Sequence, residues 1–119
     1  YKLHLRLYET EGTSGLSEEY TIAAYSISES WTEGVGKESD EPKTTDGCSW
    51  KNRSLQQGGA EGDWVDVGGT YIDSDEVKQS FSSESPDINM DITSVAKKWF
   101  NGDNENDGLL VRLSGSRET

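Results

Sequence analysis

Residues 87–113 read "DINMDITSVAKKWFNGDNENDGLLVRL", and the spacing of the apolar positions changes twice along them. In "DINMDI", Ile88, Met90 and Ile92 alternate with Asn89 and Asp91, the two-residue period of a strand with one face inward. From Thr93 the period becomes helical: Val95, Ala96, Trp99 and Phe100 fall at i, i+1, i+4 and i+5, a single apolar stripe. Thr93 is placed to N-cap this helix. Lys97 and Lys98 lie in its last turn, where the dipole favours cations, and Gly102 stands where a left-handed residue ends a helix. "GLLVRLS" (108–114) then returns to alternation, with Leu109, Val111 and Leu113 on one face. The stretch predicts a strand, one short helix near 93–101 anchored by Val95, Trp99 and Phe100, and a second strand.

Outward from this stretch the chain reads as strands and turns. "KLHLRLY" (2–8) alternates Leu3, Leu5 and Leu7 against Lys2, His4 and Arg6. A polar, glycine-containing loop follows it, and "YTIAAYSI" (20–27) is β-branched and aromatic. "EVKQSFS" (76–82) is a further strand, and "DWVDVGGTYI" (63–72) offers short strand pieces on either side of a turn at Gly68-Gly69. Between residues 28 and 64 lies a polar, glycine-rich stretch whose large apolar residues are Trp31, Trp50 and Trp64, with Val35 and Leu55. It predicts an ordered excursion pinned by its tryptophans, because a structureless loop of that length is unusual in a compact domain. Six or seven short strands, frequent turn signals, no βαβ spacing and one helix capping an end predict an all-β chain. The expected architecture is a single antiparallel β-sandwich over 1–119.

Charge and composition narrow the function. The 119 residues carry 11 Lys+Arg against 23 Asp+Glu, a net charge of −12, which repels nucleic acid and anionic membrane. No apolar run reaches the length of a membrane-spanning helix, so membrane insertion is not expected. Cys48 is the single cysteine, which rules out an intrachain disulfide. His4 is the single histidine, on the outward face of the first strand, and nothing in the spacing brings it to Cys48. A nucleophile–base pair is therefore not in sight, zinc lacks ligands, and no phosphate-binding glycine motif occurs. Among 23 acids some carboxylate pair falls at a glycosidase-like separation by chance, which carries no information. The chain is expected not to be an enzyme.

Two binding chemistries remain. Trp31, Trp50, Trp64 and Tyr71 lie in or beside loops, where exposed rings stack on sugars; their plainer role is to anchor the excursion. "NGDNENDG" (101–108) offers oxygen ligands, and Asp103, Glu105, Asp107 and Gly108 fill the first slots of a calcium loop passably. Its twelfth position is Ser114 rather than glutamate, and a strand follows instead of a helix. An irregular calcium site on Asp103, Asn104, Asn106 and Asp107 stays open as the minor alternative to a plain helix stop and strand start.

The order "SWTEG", "SWKNR", "GGTY" and "DITSVAKKWFNG…NDGLLVRL" resembles the DNRLRE-type domain. The residues that carry it are Trp31 and Glu33; Ser49, Trp50 and Arg53; Gly68, Gly69 and Tyr71; and Asp91, Ile92 and Thr93 with Val95, Trp99, Gly102 and Gly108–Val111. The resemblance implies a jelly-roll-like β-sandwich of the kind found in bacterial surface proteins, secreted enzymes and phage structural proteins. The "EPKTTDGCSWKNR" excursion is most similar to versions in tailed phages. The family's opening strands are absent and its last strand stops after "SRET", so the resemblance also implies a fragment of a larger chain. On this reading the domain is a non-enzymatic virion component, part of a tail, baseplate, collar or head appendage. It would work by assembly with other virion chains in an oligomer. The alternative is a carbohydrate-binding module of a bacterial surface or secreted protein, with a host-surface glycan as its ligand.

Overall fold

The computed structural model describes residues 1–6, 19–37, 39–42, 45–82, 84–85 and 87–114. The expected strand residues Leu7 and Tyr8, the loop after them and the closing "SRET" lie outside the described residues. Five strands and one helix make up the regular structure described: β1 (Lys2–Arg6), β2 (Tyr20–Ser26), β3 (Val77–Phe81), β4 (Asp87–Asp91), α1 (Thr93–Asn101) and β5 (Leu109–Leu113), with 3-10 turns at Ala60–Gly62 and Asp73–Asp75. β1 pairs antiparallel with β4, and a second antiparallel sheet has the order β3-β2-β5. The chain is an all-β antiparallel sandwich with one helix.

The registers explain the core. Leu3 faces Met90 and Leu5 faces Ile88 in one sheet, while Ala24 faces Val77 and Tyr20 faces Phe81 in the other. The alternation read from the sequence thus sends Ile88 and Met90 onto Ala24, flanked by Leu3, Leu5, Ile22, Val77 and Phe81. Gln79, on the same inward face of β3, closes the gap between the sheets. Its side-chain amide donates to Asp87 O (3.0 Å) and its oxygen accepts from Asn89 N (2.9 Å), so it acts as a short substitute strand on the outer edge of β4.

The helix follows β4 directly and covers the end of β2, where Trp99 Nε1 donates to Ser26 Oγ (3.3 Å) and Val95 is 1% exposed. Two expectations need correction here. Ile92, not Thr93, is the N-cap; Thr93 is the first helical residue, and the Asp91 carboxylate accepts from its N–H (2.9 Å) and its Oγ1 (2.6 Å). Phe100 is 90% exposed and anchors nothing, because Lys98 takes an inward place through its ion pair with Asp75 and turns the buried face to 95, 98 and 99. Val111, on one face of β5 with Leu109 and Leu113, is 37% exposed on an edge strand. Gly102 ends the helix in the left-handed region (φ +80°), its N–H turned to the carbonyls of Lys98 and Trp99.

Where it is described, the excursion is held to the body by main-chain and side-chain hydrogen bonds, but 63–72 does not form strand pieces. It contributes only single bridges, Asn52 to Asp63 and Ile27 to Tyr71. Gly68 and Gly69, at φ +94° and +106°, turn the chain back before a ladder can start, with Gly69 N bonded to Asp66 O and Gly68 N to Trp50 O. Gly34 and Gly47 let two parts of the excursion touch backbone to backbone. A Cβ on Gly47 would lie 2.6 Å from Glu33 O, at φ +83°. Gly47→Ala is therefore expected to lower unfolding free energy by about 2 kcal/mol, measured by urea denaturation, whereas Gly58→Ala meets no neighbour and carries only the backbone part of that cost.

Candidate functional site

The excursion packs against β5 and leaves a cleft of about 360 Å³. Leu109, Leu110, Val111 and Arg112 of β5 form one wall; Cys48, Ser49 and Trp50 form the other, with Ile27, Trp31, Trp64 and Gly68 closing it. Successive strand side chains point to opposite faces, so a cleft lined by four consecutive residues runs along the edge of the strand.

Three of the four aromatic candidates meet here. Trp64 is its floor, 8% exposed, with Nε1 donating to Ser49 O (2.9 Å). Trp31 is 39% exposed and its Nε1 donates to Asp107 O (2.6 Å), tying the excursion to the turn that leads into β5. Trp50 is 59% exposed at the mouth and lies against Gly68, where a Cβ would come within 3.0 Å of the ring. Anchoring and display are thus divided among the tryptophans. Tyr71 does not join them. Its ring packs against Tyr25 (centroids 4.3 Å), and Arg112 donates to its hydroxyl (3.1 Å).

The lining is mostly apolar, with Ser49, Cys48 and Arg112 as its polar members. Cys48 is exposed. Reading the sequence also missed Leu110 and Arg112, which carried no signal beyond their place in a strand. His4 stands opposite Asn89 on the outer face of the β1–β4 sheet, away from the Cys48 wall.

In the 101–108 turn, Asn106 Oδ1 accepts from Gly108 N (3.2 Å) and Asn104 Nδ2 donates to Asp75 Oδ2 (3.2 Å). Asp103 N bonds to Lys98 O (2.9 Å), and Asp107 contributes its carbonyl to Trp31. Among the described residues no three His, Cys, Asp or Glu side chains are grouped to hold a metal ion. The turn's contacts are those of a helix stop and strand start.

Behind the cleft wall, burial first and donation to Glu76 second push the Tyr25 hydroxyl up to about 12. The hydrogen bond from Tyr25, then that from Lys78, holds Glu76 below its ordinary value of 4.5. A raised tyrosine favours the folded state at pH below 10 and loses that contribution as pH rises from 10 to about 12. A lowered carboxylate contributes above 4.5 and loses that contribution as pH falls through its folded value. The urea midpoint is expected to fall on both flanks, and Tyr25→Phe should remove the alkaline component and weaken the acid one.

The chain matches no protein-family model, no curated protein and no solved structure, so the resemblance to the DNRLRE-type domain rests on the residues quoted for it.

Proposed function

We propose that this is a non-enzymatic structural domain that works by protein–protein assembly through the Trp31–Trp50 cleft. The setting implied by the resemblance is a virion, as part of a tail, baseplate, collar or head appendage. The observation that carries the reading is the cleft itself: an apolar slot beside a sheet edge with two indoles in solvent, one of them 59% exposed. Tryptophan is enriched among the residues that anchor protein interfaces, where binding removes it from solvent. The charge of −12 keeps nucleic acid and anionic membrane away from it.

The single thiol gives the test. A photo-crosslinker on Cys48, inside the cleft wall, should join this chain to one recurring protein of the source particle or cell. Unlabelled wild type should compete and Trp50→Ala should not, while the melting temperature of Trp50→Ala stays within about 3 °C because that ring is mostly solvated. Equal competition by both chains would exclude the cleft as the docking point.

A second reading, a carbohydrate-binding module of a bacterial surface or secreted protein, is favoured by Trp31 and Trp50 sharing one cleft with Ser49 and Arg112. Planar rings beside a few polar groups suit a sugar. Glycan-array binding that disappears in Trp50→Ala, with no protein crosslink, would establish it over assembly.

A further inference from the structure

The cleft runs beside main-chain groups that face outward. Hydrogen bonds from Ile27 N to Gly108 O (3.1 Å) and from Ser114 N to Thr21 O (2.8 Å) fix the parity of the β2–β5 ladder. In an antiparallel pair the partners that exchange these bonds recur every second residue. Gly108, Leu110, Arg112 and Ser114 therefore turn their N–H and C=O toward β2, and Leu109 and Val111 turn theirs away from it. The cleft wall contains both of the latter residues.

Among the described residues the other sheet edges are covered or charged, and on β5 itself Leu113 has a partner, which leaves Leu109 and Val111 as the residues of interest. The outward groups of β4 at Asp87 and Asn89 are taken by the Gln79 side chain. β1 carries Lys2, His4 and Arg6 on its solvent face, with Lys2 and Arg6 paired to Asp91 and Asp87. β3 carries Lys78, paired to Glu76. Charges and covering side chains are the usual protection of an edge against pairing. β5 has one charge, Arg112, and that is engaged with Tyr71.

Resting on the assembly reading, we propose that β5 is completed by strand addition. An extended, net basic segment of a partner protein pairs along Leu109–Val111 and sends one aliphatic or aromatic side chain between Trp31 and Trp50. The outward N–H and C=O groups require a strand rather than a helix, and the cleft beside them receives its alternate side chains. The charge of −12 favours a basic segment and disfavours a second copy of this chain.

A capped peptide of alternating lysine and leucine is the probe, added to the full chain. It should protect Cys48 from alkylation and slow amide exchange at Leu109 and Val111. Val111→Pro should weaken it about tenfold, because proline deletes an N–H that faces outward and leaves the β2 ladder intact. Should Val111→Pro unfold the chain, the same peptide with every backbone amide N-methylated carries the test on the wild type and should bind about as weakly. Equal binding of the methylated peptide, or full affinity in a folded Val111→Pro chain, overturns strand addition. So does a Cys48 already shielded before peptide is added, by another segment of this chain or by self-association that grows with concentration. A natural protein partner lost in Trp50→Ala but kept in folded Val111→Pro would overturn this inference and leave the assembly reading standing. The finding that only glycans bind the cleft would overturn both.

Discussion

Replacing Lys98 by methionine is expected to lower the free energy of unfolding by about 3 kcal/mol, while Lys97→Met changes it by less than about 0.5 kcal/mol. The two lysines are neighbours on α1 and differ in what they meet. The Asp75 side chain is 1% exposed and its Oδ1 receives the Lys98 ammonium, while its Oδ2 accepts from Asn104. Without Lys98, a carboxylate remains buried with a single neutral donor, and leaving a buried charge without its ion partner is the expensive way to break a pair. The Lys98 side chain is 40% exposed, so the loss belongs at the low end of the range for buried pairs. Lys97 is exposed, and the Asp75 carboxylate is engaged by Lys98 and Asn104. Urea denaturation of the two variants measures the difference. Lys98→Met combined with Asp75→Leu should recover most of the loss, since an apolar pair of similar volume restores packing without the buried charge. The pair also joins the 73–75 turn to the helix and, through Asn104, to the turn that leads into β5. Its loss should loosen the route from core to cleft.

Ile88→Ala is expected to cost about 3 kcal/mol and to lower the melting temperature by about 12 °C. Ile88 is 1% exposed, faces Leu5 across the β1–β4 ladder and touches Ala24 of the opposite sheet, so the deleted carbons leave a hole between two sheets that cannot both close on it. Asn89→Ala, one residue on and facing solvent, should stay near 0.5 kcal/mol, because its contact with Gln79 is made by the backbone N–H and survives. Met90→Leu conserves volume and is expected to cost under about 1.5 kcal/mol. The contrast between 88 and 89 tests the inward parity of β4, since a one-residue slip of register would exchange their effects.

That parity was legible in the sequence, because alternation over "DINMD" and "KLHLR" has one physical meaning when one face is buried. So were β2, β3, α1 and β5, whose apolar spacing and flanking turn residues agree. Phe100 failed for a reason outside its own helix. The i, i+1, i+4, i+5 pattern allows the buried face to lie on either side of Trp99, and a carboxylate from the 73–75 turn chose the Lys98 side. Val65 and Val67 suggested strand by β-branching, yet they are 77% and 65% exposed, because Gly68 and Gly69 reverse the chain around them. Trp31, Trp50 and Trp64 could be nominated by residue type. Their convergence, and the part of Leu109–Arg112 in the wall, depends on contacts made far along the chain. No local spacing encodes such contacts.

The account turns on the main-chain groups of Leu109 and Val111 being open beside the tryptophans, and residue-resolved amide hydrogen exchange on the free chain measures that directly. The prediction is alternation along the strand: Leu110 and Arg112 protected by their bonds to β2, Leu109 and Val111 exchanging close to the rate of solvated amides. Uniform protection of all four amides would contradict it, because the edge would then be already paired and the cleft would have no strand left to receive.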